Sequence, residues 1–271
     1  MNVLLLLGLG AASTAGLWGI QSLLLFLAGE PQAGPLRARN PPARVRWPMK
    51  IALQLALFGI LLGYPLALGR SPLLYHRDRF VPADPWALFE ALVAMILCFL
   101  VGTGLEVICG WVQWRPRYGA GKTLRKAGQA LLTPFPLAVL EEGIFRGIVL
   151  DALLLSLPAT NWGRGTAVVA SAAIFAAVHF IRPAKTYGPA GGLFILGCLL
   201  GAAYLLGDRT YWLPVGLHAG GIFAIQFLRP FVEYRAPPWL VGYRSYPIAG
   251  LIGILAMVLL GLYLTVRFAP A

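Results

Sequence analysis

The chain has 271 residues, of which 59% are hydrophobic and only 12% charged, and its mean hydropathy is +0.75. Soluble domains carry about 25% charged residues, so the composition excludes an ordinary water-soluble globule and implies an integral membrane protein. The net charge of +12 does not point to nucleic acid, because the basic residues fall in connecting loops, where anionic headgroups and the positive-inside rule place them.

A membrane-crossing helix needs about 20 apolar residues. Eight segments qualify in chain order: residues 2–28, 50–69, 85–112, 131–156, 164–181, 189–206, 212–228 and 246–267. The first is too long for a signal-peptide core and lacks a positive leader, so it reads as a retained span. Backbone groups in lipid must be satisfied within the segment, and the expected fold is therefore all-α, a polytopic membrane protein of about eight helices around a polar cavity. No linker is long enough to set off a second domain. Residues 1–271 read as a single membrane domain, with 130–228 as its core.

Loop charge fits that count. Alternate loops carry Arg37, Arg39, Arg44, Arg46 and Lys50; Arg115, Arg117, Lys122, Arg125 and Lys126; Arg182 and Lys185; and Arg229, Arg235 and Arg244. The opposite side holds only Arg70, Arg77, Arg79, Arg164, Arg209 and Arg267. The asymmetry places both termini on the non-cytoplasmic side. Cys98, Cys109 and Cys198 lack paired spacing and read as small core residues. Glycine pairs such as Gly191-Gly192 and Gly220-Gly221 read as packing surfaces. Trp86, Trp111, Trp114, Trp162, Tyr211, Trp212, Trp239 and Tyr246 lie near span ends and fit an interfacial belt.

The fourth segment departs from this apolar background. Between residues 131 and 157 it holds Glu141, Glu142 and Arg146, with Thr133 and Asp151 near its ends. One charge at the bilayer centre costs roughly 2.5–3.5 kcal/mol on insertion scales, so three within six residues imply intramembrane chemistry or an intramembrane pathway. Glu142 and Arg146 are spaced i, i+4 and share a helical face as an ion pair. Glu141 is rotated about 100° away and is expected to lack that partner, which suits a general base or acid.

Two histidines also lie inside spans: His179, closing Phe175-Ala176-Ala177-Val178-His179, and His218, in Gly216-Leu217-His218-Ala219-Gly220-Gly221. A glutamate with two histidines can activate water and stabilise an oxyanion, or it can ligate zinc. Small neighbours (Ala176, Ala177, Ala219, Gly220, Gly221) leave room for water and a substrate backbone. His179 lies late in its span and His218 early in its own, so the two meet only if the seventh span is shifted or the connection from Gly207 to Leu213 dips into the protein. His76 reads as a solvated loop residue. Glu90, Glu106 and Asp151 read as interfacial or helix-end charges.

The motifs E-E-x-x-x-R (Glu141, Glu142, Arg146) and F-x-x-x-H (Phe175, His179), with a later span histidine (His218), resemble the CPBP family. That family comprises CAAX-type prenyl endopeptidases and their bacterial relatives, among them abortive-infection and bacteriocin-immunity-like proteins. The resemblance covers about residues 130–228. It implies an intramembrane endopeptidase, glutamic or metal-dependent, in which Glu141 and His179 activate water, Glu142 and Arg146 form a supporting pair, and His218 stabilises the oxyanion. It further implies a protein or peptide substrate at the lipid bilayer and a bacterial inner (plasma) membrane location. No cofactor is expected, with zinc held by Glu141, His179 and His218 as the alternative. The family's third motif usually reads H-x-x-x-N or H-x-x-x-D, whereas this chain has Ile222 four residues after His218. Gln226, one further turn along roughly the same face, is the remaining candidate donor.

Two other readings compete. A non-catalytic binding or immunity-type relative is favoured by Ile222. A proton-coupled transporter would call for inverted repeats or broken helices, and the acidic cluster has no counterpart in the first half of the chain.

Overall fold

The computed structural model describes residues 2–30, 42–81, 86–132, 134–179, 188–243 and 246–268. The loop residues Arg37, Arg39, Arg182, Lys185 and Arg244, and Thr133, lie outside the described residues. All eight expected segments carry helix. The chain begins with α1 (Asn2–Leu27) and α2 (Ala43–Ala67), then a short α3 (Pro72–Arg77), α4 (Ala87–Ile108) and strand β1 (Val112–Trp114). There follow α5 (Ala120–Leu132), α6 (Pro134–Ile144), a π-helical turn (Phe145–Leu150) and α7 (Asp151–Ser156). The remainder is α8 (Asn161–Val178), α9 (Ala190–Leu206), α10 (Trp212–Leu228), β2 (Val232–Tyr234), α11 (Pro238–Val241), a 3-10 turn (Pro247–Ala249) and α12 (Leu251–Phe268).

Among the described residues, four helices are long and apolar enough to cross a membrane by length and composition: Leu4–Leu27 of α1, then α2, α4 and α12. Helices α9 and α10 are apolar but only 17 residues long. These two lie inside the bundle, where protein rather than lipid surrounds them. Helix α2 starts seven residues before the expected span because its first turns are polar, and there Lys50 sits over the Trp47 ring, 4.9 Å from its centroid.

Helix α10 is the axis of the fold, packed against α4, α5, α6 and α9. Its crossing with α4 depends on two glycines four residues apart. A Cβ on Gly216 would stand 2.4 Å from the Leu88 carbonyl oxygen, and one on Gly220 2.7 Å from that of Leu92. Such close backbone approach is open only to glycine. Residue 218 lies about 200° around the helix from Gly216, so the same crossing turns His218 away from α4 and toward α6. Gly220 and Gly221 are thus the packing surface that their small size suggests, against Leu92, Met95 and Phe99 of α4, and they do not leave open space beside the site.

Helix α8 packs on α9 and α12 bridges α9 and α4, while α1 and α2 pair at the periphery against α7 and α6. A two-stranded antiparallel ribbon, with Val112 opposite Tyr234 and Trp114 opposite Val232, ties the end of α4 to the end of α10. Tyr211, expected in the interfacial belt, is a core residue at 1% exposure, whereas Trp86, Trp114, Trp162 and Trp239 are exposed. Cys98 and Cys198 are half-buried, and Cys109 is exposed rather than packed in a core.

Candidate active site

Helix α6 delivers Glu141 and Glu142 just before the π-helical turn that carries Arg146. A π turn widens the backbone and frees carbonyl groups, and such turns recur at functional positions. Here two carbonyls of the turn receive side-chain donors from other elements. The Ser171 hydroxyl of α8 donates to Phe145 O at 3.2 Å, and the Tyr75 hydroxyl of α3 donates to Gly147 O at 2.9 Å. Burial pushes the Tyr75 hydroxyl up to about 12, which keeps it a proton donor at neutral pH.

Glu142, with no exposed surface, is the hub. Its Oε1 accepts from Arg146 Nη1 at 3.1 Å and from His218 Nδ1 at 2.7 Å. Arg146 Nε also lies 3.0 Å from Glu142 Oε2; this is a charge contact without hydrogen-bond direction, and neither atom has another partner. The guanidinium donates from Nη2 to Gly197 O of α9 at 3.1 Å and lies 5.0 Å over the Phe175 ring, a cation–π arrangement. The i, i+4 pair expected from sequence is thus present, and it is held by α8, α9 and α10 as well.

Glu141 does not stay without a partner as its helical position had suggested. Its Oε2 lies 3.6 Å from His218 Nε2, beyond hydrogen-bond distance but close enough for charge to matter. Its side chain is 17% exposed, against 0% for Glu142 and 6% for His218. His218 therefore sits between two carboxylates, fixed by the buried one and facing the more accessible one. His179 caps the end of α8, half-buried, with Nδ1 donating to Phe175 O at 2.7 Å, which leaves Nε2 as the acceptor nitrogen of the neutral ring. Phe175 links the two histidines: its ring centroid is 4.5 Å from that of His179 and 6.0 Å from that of His218.

Phe175 thus brings the two histidines near each other despite their different places along their helices. The connection preceding α10 turns through Asp208 and Arg209, both at positive φ, and Thr210, Tyr211 and Leu213 are buried. Ile222 is half-buried, whereas Gln226 is exposed and lines a surface groove with Tyr118 and Lys126. The structure does not bring Gln226 to the cluster. Among the described residues no three His, Cys, Asp or Glu side chains are placed to hold a metal ion. The hydrogen bond from His218 Nδ1 to Glu142 leaves His218 Nε2 facing Glu141, and the Nδ1 bond of His179 leaves its Nε2, so these are the atoms the zinc alternative would use.

A second polar network escaped the sequence reading. Arg79 pairs with Asp151 through Nη2 and Nε, the latter at 3.0 Å, and Tyr204 donates to Asp151 at 3.2 Å. His76 bonds Tyr211 Oη at 2.7 Å and Leu61 O at 3.1 Å. Both His76 and Asp151 are buried, so neither is the solvated or interfacial group expected of it. Burial holds His76 below the ordinary histidine range. Asp151 inside an apolar span was the available signal, but its partners come from sequence positions as distant as Arg79 and Tyr204. Glu106 is likewise buried. Glu90 does behave as a surface charge, paired with Arg267 at 3.0 Å.

The helical core thus buries a Glu–Arg–His network beneath a more accessible glutamate. Residues 124–223, from α5 into α10, match the family model described as type II CAAX prenyl endopeptidase Rce1-like. That match supports the resemblance to the CPBP intramembrane endopeptidases and spans all five residues of the cluster. No curated protein and no solved structure gives a match.

Proposed function

We propose that this protein is an intramembrane endopeptidase of the CAAX type, hydrolysing a peptide bond near the membrane-associated end of a protein substrate. The observation that carries the reading is the position of His218, locked by Glu142 through Nδ1 and turned through Nε2 toward Glu141. Glu141, the most accessible carboxylate of the cluster, takes a proton from water with the help of His179 Nε2, and the resulting hydroxide attacks the scissile carbonyl. His218, doubly protonated between two carboxylates, donates from Nε2 to the oxyanion that develops. Arg146 holds Glu142 in place. The proton taken by Glu141 then passes to the leaving amine. No step is routed through a metal.

The test is cleavage of a membrane-tethered peptide by purified protein in lipid discs. Glu141→Gln keeps shape and polarity but removes the base, so kcat should fall by roughly 10²–10⁴, the usual span of general acid–base catalysis, while the protein stays folded. Retention of turnover by Glu141→Gln would overturn the assignment. The eight-span topology, both termini on the non-cytoplasmic side and a bacterial plasma-membrane location belong to the same proposal. Alternation of loop charge supports the orientation, and cysteine labelling from each face tests it.

Ile222 favours one rival, a binding protein of the same fold without turnover. One oxyanion donor is worth about 2.7–4 kcal/mol of transition-state stabilisation. Ile222→Asn, one helical turn from His218, should therefore accelerate cleavage. If the wild type and this variant are both inert on tethered peptides, with Glu141 dispensable in cells, the non-catalytic reading replaces the peptidase.

A further inference from the structure

We infer that the cleft between α4 and α12 is a binding site for an organic ammonium group carried on a compact apolar body, with Glu106 as its counter-ion. The inference does not rest on the peptidase reading. Glu106 is 4% exposed and lines a narrow cleft, open to the surface on one side and with room inside for a group of about water or ammonium size, together with Phe99, Thr103, Ile248, Ile252 and Met257. Every other buried carboxylate described above has a cationic or hydroxyl partner: Glu142 has Arg146 and His218, and Asp151 has Arg79 and Tyr204. Among the described residues, none donates to the Glu106 side chain or pairs with it.

Its position makes that isolation costlier. Glu106 lies in the last turn of α4, which ends at Ile108, where unpaired carbonyl groups already give the helix a negative end. A carboxyl group buried there either holds a proton or is met, once ionised, by positive charge from outside the chain. The walls select what brings it. They are apolar except for Thr103, one turn before Glu106 on the same face, whose hydroxyl supplies a second acceptor. A divalent cation needs six or more oxygen ligands or a set of retained waters, which one carboxylate and one hydroxyl in an apolar cleft do not provide. A primary ammonium needs few acceptors and is about the size of a water, and its carbon body would lie along the apolar residues at the open mouth of the cleft.

Two sources share this chemistry, the headgroup of an ethanolamine lipid and a free amine, and one experiment separates them. The whole protein is placed in phosphatidylglycerol discs, which contain no amine, and titrated with benzylammonium or its neutral isostere benzyl alcohol while unfolding temperature and binding heat are followed. The proposal expects benzylammonium to bind and raise the unfolding temperature, benzyl alcohol not to, and Glu106→Gln to weaken binding roughly tenfold or more, as loss of a hydrogen bond to a charged group does. Ala256→Phe, which fills the cleft without touching the carboxylate, should abolish binding, and it carries the test if Glu106→Gln fails to fold. Adding phosphatidylethanolamine then assigns the source. Stabilisation that competes with benzylammonium in wild type but not in Glu106→Gln names the lipid headgroup, and its absence names the soluble amine. No response of wild type to either amine, an equal response to benzyl alcohol, or binding unchanged in both variants would overturn the proposal.

Discussion

Helix α1 presents Leu4, Leu7, Leu23 and Phe26 outward, each more than half exposed, whereas α10 buries every residue from Leu213 to Gly221. The two helices are comparably apolar, yet they meet different surroundings. The first needs only length and hydrophobicity, because lipid accepts any apolar side chain. The second must fit α4 through Gly216 and Gly220 while presenting His218 to Glu142, so its side chains are fixed one by one. Tolerance should follow this division, with substitutions costing most where polar groups are buried in protein and least where leucine faces lipid.

The largest effect is expected at Arg146. Replacing it by methionine fills similar space but leaves Glu142 as a buried charge with only His218 beside it. Breaking a buried pair this way costs about 3–5 kcal/mol, to be read from denaturant unfolding in micelles. A loss below about 1 kcal/mol would show that the inner network does not hold the core together. Gly147→Ala probes the other side of the π turn. Its Cβ would stand 2.0 Å from the Tyr211 hydroxyl oxygen, and Tyr211 is itself buried, so overpacking of about 1–3 kcal/mol is expected. Tyr211→Phe in the same chain should restore part of that loss by removing the nearest atom.

The His76 network should show its role through pH. Burial lowers the affinity of His76 for a proton from the ordinary value of 6.5. As pH falls below that value the unfolded chain takes up the proton first. Stability at neutral pH is therefore progressively lost on acidification, by at most about 1.4 kcal/mol per pH unit for one group. The decline levels off once the native histidine is also protonated. The difference between wild type and His76→Gln, measured from pH 7.5 to 5, isolates this contribution. The smallest effect belongs to α1: Leu4→Ala should change stability by less than about 0.5 kcal/mol. A large loss there would mean that another protein surface, not lipid, covers that face.

Membrane class, helical content and the residues of the cluster were legible in the chain, because charges and histidines inside apolar segments are too costly to be incidental. Glu142 and Arg146 could be paired by helical spacing alone, since i and i+4 share a face wherever the helix sits.

Other features depended on contacts between distant segments. Helical rotation separated Glu141 from Arg146 and left it apparently alone, but only the α4–α10 crossing turns His218 toward it. Gln226 and Ile222 lie on nearly one face of α10, yet neighbouring helices half-bury Ile222 and leave Gln226 at the surface. His76, Glu106 and Asp151 read as surface charges because the chain does not reveal what will cover them. Periodicity and the cost of charge in lipid act locally and can be read along the sequence, whereas burial and partnership are decided by which helices meet.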